Sequence, residues 1–77
     1  MASETIQTLL QQAFPEADEV RVVDRTGAGD HFHVTVVSKR FGGLPLIDQH
    51  RLVNAALAAP LANGTIHELR ITTRGKT

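Results

Sequence analysis

SKRFGGLPLIDQHRLVNAAL, residues 38–57, is the stretch on which the fold turns. It begins where a strand ends, breaks at Phe41-Gly42-Gly43, and restarts at Pro45 as a helix. Proline fits the first turn of a helix, where its missing N–H would have found no partner anyway. From there Leu46, Val53 and Leu57 fall on one helical face, with Leu52 and Ala56 beside them, so the spacing predicts a helix over residues 46–58. His50 interrupts the apolar pattern, four residues after Leu46 and three before Val53.

Upstream of this stretch, Phe32, Val34 and Val36 alternate with His33, Thr35 and Val37, the period of a strand buried on one face. Val20 and Val22 mark an earlier strand over residues 20–23. Two glycines and an aspartate punctuate Arg25-Thr26-Gly27-Ala28-Gly29-Asp30 between them, which predicts a short loop and a hairpin. Before the hairpin, Ile6, Leu9, Leu10, Ala13 and Phe14 follow helical spacing until Pro15 stops the pattern, so residues 4–14 read as a helix with Ser3 as its N-cap.

Downstream, Pro60 ends the second helix or opens a short helical turn at Leu61 and Ala62, and Asn63-Gly64 is a turn. Residues 66–72 read as a third strand with His67, Leu69 and Ile71 on one face, followed by a mobile tail over residues 74–77. The order is αββαβ, or αββααβ if the extra helical turn counts. Three strands and amphipathic helices give a single two-layer α+β domain over residues 1–77, with the helices on one face of a three-stranded mixed sheet. The hairpin is antiparallel, and a helical crossover lets the last strand pair in parallel.

Composition narrows the function. The 77 residues include no cysteine, so there is no disulfide, thiol nucleophile or self-sufficient thiolate cluster site. Trp and Tyr are absent and Phe occurs three times, leaving no aromatic platform for stacking bases. The start, MASETIQ, lacks both a basic segment and an apolar run, and no apolar run is long enough to span a bilayer, so a soluble cytoplasmic protein is expected. Eight acidic and eight basic side chains balance overall. Residues 1–38 nevertheless carry six acids against two bases, and residues 39–77 the reverse. A basic second half suits an acidic partner or a phosphate backbone, but strong nucleic-acid binders usually carry net positive charge, and opposite charges mingle on folding. No nucleophile–base arrangement, phosphate-binding glycine loop or carboxylate pair stands out, so an enzyme is not expected.

Several motifs occur together in order. His31-Phe32-His33-Val34-x-Val36-Val37-Ser38 is followed by Phe41-x-Gly43, then by His50-Arg51-x-Val53-Asn54, then by Ile66-His67-x-Leu69. Over nearly the whole chain this arrangement resembles the BolA-like family, whose small α+β fold is related to KH domains. The resemblance implies a binding protein that pairs with a monothiol glutaredoxin and shares a [2Fe-2S] cluster with it. Such a protein acts in iron–sulfur trafficking, iron or redox sensing, or stress response. It would be a monomer alone and a heterodimer with its partner. It would hold no cofactor in isolation, the partner side supplying cysteine and glutathione thiolates.

By the same resemblance the histidine opening the last strand, here His67, is a cluster ligand. The family's second ligand, a Cys or His, lies in the loop between the first two strands. The matching residues 26–30 contain neither, and His31 at the loop's end is the nearest candidate. The family's Arg before the helix histidine is Gln49 here, Glu68 stands where Ala is usual, and a Thr-Pro segment after the last strand is missing. Some bacterial members are also described as transcription regulators that bind DNA through the turn–helix region. In this chain Lys39, Arg40, His50 and Arg51 lie there as candidate partner or nucleic-acid contacts. Gly42-Gly43 is not the Gly-x-x-Gly loop with which KH domains clamp a nucleic-acid backbone.

Each candidate has a plainer reading. Without the resemblance His67 is a strand-end histidine. His50 is a partly buried histidine hydrogen-bonded to backbone, and His31-x-His33 is a solvated strand pair. Lys39, Arg40 and Arg51 are then a solvated polar face.

Overall fold

The computed structural model describes residues 2–75. The element order is α1 (Ala2–Ala13), β1 (Glu19–Asp24), β2 (His31–Val37), a 3-10 turn (Lys39–Phe41), α2 (Leu46–Ala56), α3 (Ala58–Ala62) and β3 (Glu68–Arg74). The sheet order is β1-β2-β3. β1 runs antiparallel to β2 with Val22 opposite Val34, and β2 runs parallel to β3 with Val34 beside Ile71. Expected and observed architectures agree: a mixed three-stranded sheet with α2 and α3 forming the crossover between its parallel strands.

Strict alternation along β2 makes it the centre of the core. Phe32, Val34 and Val36 are buried on the helical side, and His31, His33, Thr35 and Val37 face the other way. α1 covers the sheet with Ile6, Leu10 and Phe14, four residues apart and therefore on one face. Ser3 lies inside the first turn of α1 and does not cap it, because the helix starts at Ala2, the strongest helix former. The last helical N–H is that of Phe14, which donates to the Leu10 carbonyl at 2.8 Å just before Pro15.

Ser38 locks the end of β2 to the next element. Its hydroxyl is fully buried, accepts from Arg40 N at 3.1 Å as the cap of the 3-10 turn, and donates to the Glu16 carboxylate at 3.2 Å. That turn brings Phe41 onto Phe14, with ring centroids 5.4 Å apart and tilted by 58°. Gly43 then takes φ +81°, a left-handed conformation that a side chain rarely adopts. Pro45 stands one position ahead of α2, and its carbonyl accepts from Asp48 N and Gln49 N.

The helical stretch departs from expectation at both ends. Leu46 and Ile47 are 60% and 62% exposed, and neither joins the core, which α2 enters through Leu52, Val53 and Ala56, with Leu57 just beyond its end. An apolar stripe is buried only where another element runs beside it, and the first turn of α2 meets β3 through Gln49, which accepts from Thr73 Oγ1 at 2.6 Å, and leaves Leu46 and Ile47 to solvent. At the other end the expected single helix over residues 46–58 breaks at Leu57, whose φ and ψ are −106° and 19°. Pro60 is the cause: it cannot donate to residue 56, and its ring would clash with that carbonyl, so a new short helix starts with proline in its first turn.

The third strand begins two residues later than expected. Ile66 is 3% exposed and plugs the core, and its N–H donates to the Pro60 carbonyl. His67 N and Glu68 N both donate to the Asp30 carbonyl, at 2.8 and 3.2 Å, so pairing with β2 starts at Glu68. His67 therefore precedes the strand and does not share a strand face with Leu69 and Ile71. The expected loose tail is held at its start: Arg74 belongs to β3, and its carbonyl accepts from Ser38 N at 3.0 Å. A Cβ on Gly75 would come within 3.0 Å of Gly42 N, so this close approach needs glycine. Lys76 and Thr77, the rest of that tail, lie outside the described residues. Among the described residues no helix is long and apolar enough to cross a membrane.

Candidate functional site

Two turns deliver the two histidines singled out by sequence to one end of the sheet. The hairpin loop folds around Asp24. One carboxylate oxygen accepts from Thr26 N and Gly27 N, the other from Gly29 N, and Gly27 and Gly29 take φ of +77° and +78°. Thr26 Oγ1 donates to Asp30 Oδ1 at 3.0 Å, and Arg25 N donates to the His31 carbonyl at 2.8 Å. The loop is thus closed by its own hydrogen bonds, and His31 emerges from it as the first residue of β2.

The second turn is built on Asn63, whose side-chain oxygen accepts from Thr65 N at 2.9 Å and from Thr65 Oγ1 at 2.6 Å, with Gly64 at φ +83°. Ile66 then points into the core and His67 is exposed to solvent. Because His67 N is bonded to the Asp30 carbonyl, the His67 backbone is fixed one residue away from His31.

The His31 and His67 rings lie 6.3 Å apart between centroids, inclined by 34°. Around them stand Glu68, with Oε2 3.3 Å from His31 Nδ1, and Asp30, with Oδ2 3.9 Å from His31 Nε2. Arg25 Nη1 is 3.6 Å from the same Glu68 oxygen. Among the described residues no group of three or more His, Cys, Asp and Glu side chains can hold a metal ion. The arrangement can therefore offer imidazole nitrogens to a metal whose other ligands come from elsewhere. Two imidazoles are the donor set that replaces two thiolates on one iron of a [2Fe-2S] centre in proteins of mixed ligation, so the residues fit one half of such a cluster and not the whole.

The remaining candidates lie elsewhere. His33 is on the open face of the sheet, its Nε2 2.8 Å from Thr72 Oγ1, outside the pair. Lys39 and Arg40 follow the far end of β2, about 20 Å from His31 at about 3.3 Å per strand residue, and Arg51 lies in α2. Arg40 is largely occupied there. Its Nη1 donates to the Ala13 carbonyl at 2.7 Å, its Nε lies 3.8 Å from Glu16, and its guanidinium sits 5.2 Å over the Phe14 ring. It thereby satisfies the C-terminus of α1. Lys39 is exposed, and Arg51 is an exposed cation 3.7 Å from Asp48. His50 is half-buried, as its position beside the apolar stripe implies. Among the described residues its ring makes no bond to backbone, contrary to expectation, and its own carbonyl accepts from the Asn54 side chain at 3.1 Å.

Sequence reasoning did not place Arg25, Asp30 or Glu68 at the site. For Glu68 a signal existed, a carboxylate immediately after His67. For Arg25 and Asp30 it was only their places flanking the hairpin loop.

A family model described as BolA-like protein matches residues 6–77. BolA-like protein 1 of Pongo abelii is 45% identical over 75 residues, covering 90% of this chain and 54% of the relative. A Vibrio cholerae protein named DNA-binding transcriptional regulator BolA is 57% identical over 47 residues, covering 61% of this chain and 43% of the relative. The chain thus spans about half the length of these two relatives. Among solved structures, BolA1 from Arabidopsis thaliana superposes with a TM-score of 0.87 at 30% identity, covering 97% of this chain and 92% of that one.

Proposed function

The chain belongs to the BolA-like family, and on that premise we propose that it is a non-enzymatic binding protein. In this reading it docks on a monothiol glutaredoxin and lends His67, with His31 as second ligand, to a [2Fe-2S] cluster shared between the two proteins. One observation carries the reading: two accessible imidazoles from separate turns meet at 6.3 Å, without enough further ligands among the described residues to hold a metal alone. Such a site has little use in isolation and suits a partner that brings thiolates, the soft ligands that iron–sulfur clusters prefer.

The cluster supplies one-electron chemistry, and imidazole in place of thiolate raises its potential. The work of this chain is to present two nitrogens at a fixed place. Asp30 holds the backbone of His67, Ile66 anchors the turn behind it, and the Asp24-closed loop sets the start of β2. Cluster transfer or iron and redox sensing in the cytoplasm, by a heterodimer with the glutaredoxin, is the role that follows.

The test is titration of this protein into a cluster-loaded monothiol glutaredoxin, followed by visible circular dichroism. A changed spectrum that His67→Ala abolishes is the expected result. The same changed spectrum with His67→Ala would remove the central claim, and calorimetric binding without spectral change would mean docking without ligation.

A DNA-binding role is the second reading, favoured by the name of the Vibrio cholerae relative. It would use Lys39 and Arg51, since Arg40 is committed to α1. With these two cations on phosphates, the logarithm of the duplex binding constant should fall with the logarithm of salt at a slope of about −1.8. Absent or salt-insensitive binding removes this reading.

A further inference from the structure

Three residues at the ends of the three strands form a row at the end of the sheet that holds the histidine pair. Arg25 directly follows β1, His31 opens β2 and Glu68 opens β3. Their spacing is set by backbone. Arg25 N donates to the His31 carbonyl, His31 and Glu68 are register partners, and Glu68 N donates to the Asp30 carbonyl. The Glu68 carboxylate lies between a cation and an imidazole, with Arg25 Nη1 3.6 Å and His31 Nδ1 3.3 Å from the same oxygen.

The two nitrogens of His31 are thereby made unequal. Nδ1 faces a carboxylate, which accepts hydrogen bonds and donates none when ionised. Among the described residues the group facing Nε2 is Asp30 Oδ2, at 3.9 Å and beyond hydrogen-bond distance, while the other oxygen of Asp30 is engaged by Thr26 Oγ1. A carboxylate beside one ring nitrogen keeps the proton there and leaves the lone pair on the other, the arrangement by which metal-binding histidines are oriented.

We propose that Glu68 is a positioning residue that fixes His31 with its proton on Nδ1 and its Nε2 free to ligate. His31 thereby takes the place of the ligand that the hairpin loop lacks. The inference rests on the reading of His67 and His31 as cluster ligands and deepens it. It is particular to this chain, because residue 68 is where the resemblance leads one to expect alanine. The alternative, that Glu68 is only a surface ion pair with Arg25, would contribute little and leave the imidazole indifferent.

The tautomer of His31 is read directly in the cluster-free protein by long-range proton–nitrogen correlation on 15N-histidine-labelled samples, at a pH where the imidazoles are neutral. The wild type should show the protonated-type nitrogen shift at Nδ1. Glu68→Gln should keep it, because the amide oxygen still accepts, and Glu68→Ala should move it to Nε2, the tautomer favoured by an unconstrained imidazole. All three proteins should give the same far-ultraviolet spectrum, since the Glu68 side chain is about half exposed. A wild-type His31 already protonated on Nε2, or one unmoved by Glu68→Ala, overturns the proposal.

The consequence for ligation is read by pulsed electron paramagnetic resonance of the reduced cluster shared with the glutaredoxin. Nitrogen couplings from two imidazoles are expected for the wild type, and from one for Glu68→Ala as for His31→Ala. Two couplings retained in Glu68→Ala would remove the role of Glu68 and leave the shared cluster standing. A cluster that is never shared would remove the proposed function, and the tautomer measurement would still decide whether Glu68 orients His31.

Discussion

Replacing Ile66 probes the anchor that turns His67 outward. Ile66 is 3% exposed and belongs to the core cluster, so Ile66→Ala withdraws three buried carbon atoms. At about 0.8 kcal/mol per buried methylene, the transfer cost is about 2.4 kcal/mol. If roughly 40 Å³ stays open, about 24 cal/mol per Å³ adds about 1 kcal/mol more. The total, about 3 kcal/mol, compares with about 4–12 kcal/mol for the whole stability of a 77-residue domain. Melting should fall by roughly 12–24 °C. Ile66→Val, which removes one carbon, should cost about 1 kcal/mol. Urea unfolding must be followed by circular dichroism, because the chain has neither Trp nor Tyr to report by fluorescence. A cost below about 1 kcal/mol for Ile66→Ala, or equal costs for alanine and valine, would refute the claim that this side chain is a packed plug.

Ser38→Ala should cost about 1–2 kcal/mol by thermal melting. Arg40 N loses its cap, whereas Glu16, partly exposed, regains water in place of the hydroxyl. Ile47→Ser should change stability by less than about 0.5 kcal/mol in the same assay, because the side chain is 62% exposed and outside the core. A larger loss would mean that the first turn of α2 is packed.

The fold was legible in sequence where one element's pattern is complete in itself. β2 shows this best: Phe32, Val34 and Val36 alternate with polar neighbours, and a central strand has no choice of face once its apolar side must be buried. Pro15, Gly43 and Asn63-Gly64 punctuate the chain by local sterics, which do not depend on what packs nearby. Elsewhere the pattern ran past its physical support. Leu46 has the right spacing for the stripe of α2 but stays 60% exposed, and spacing alone does not say how far a neighbouring element extends. Pro60 announced a break, but it is Leu57, three residues earlier, that takes the non-helical conformation.

For the candidate site, sequence by itself determined the ligand chemistry. The chain has no thiolate to offer and four histidines, so any metal role must draw on imidazole, carboxylate or a partner's ligands. It also placed His67 and His31 at the starts of their elements and left His50, His33 and the turn–helix cations as alternatives. Only the tertiary structure showed which of them lie together. Parallel pairing of β2 with β3 sets residue 31 beside residue 68, and the Asp30 carbonyl ties residue 67 alongside, so histidines 36 positions apart in sequence come to 6.3 Å. The same pairing set Glu68 against His31, and the approach of α1 to the 3-10 turn committed Arg40 to a helix end. Strand register and helix contact are properties of the whole assembled sheet. Local sequence fixes which residues can occupy such positions, and long-range backbone pairing fixes which of them meet.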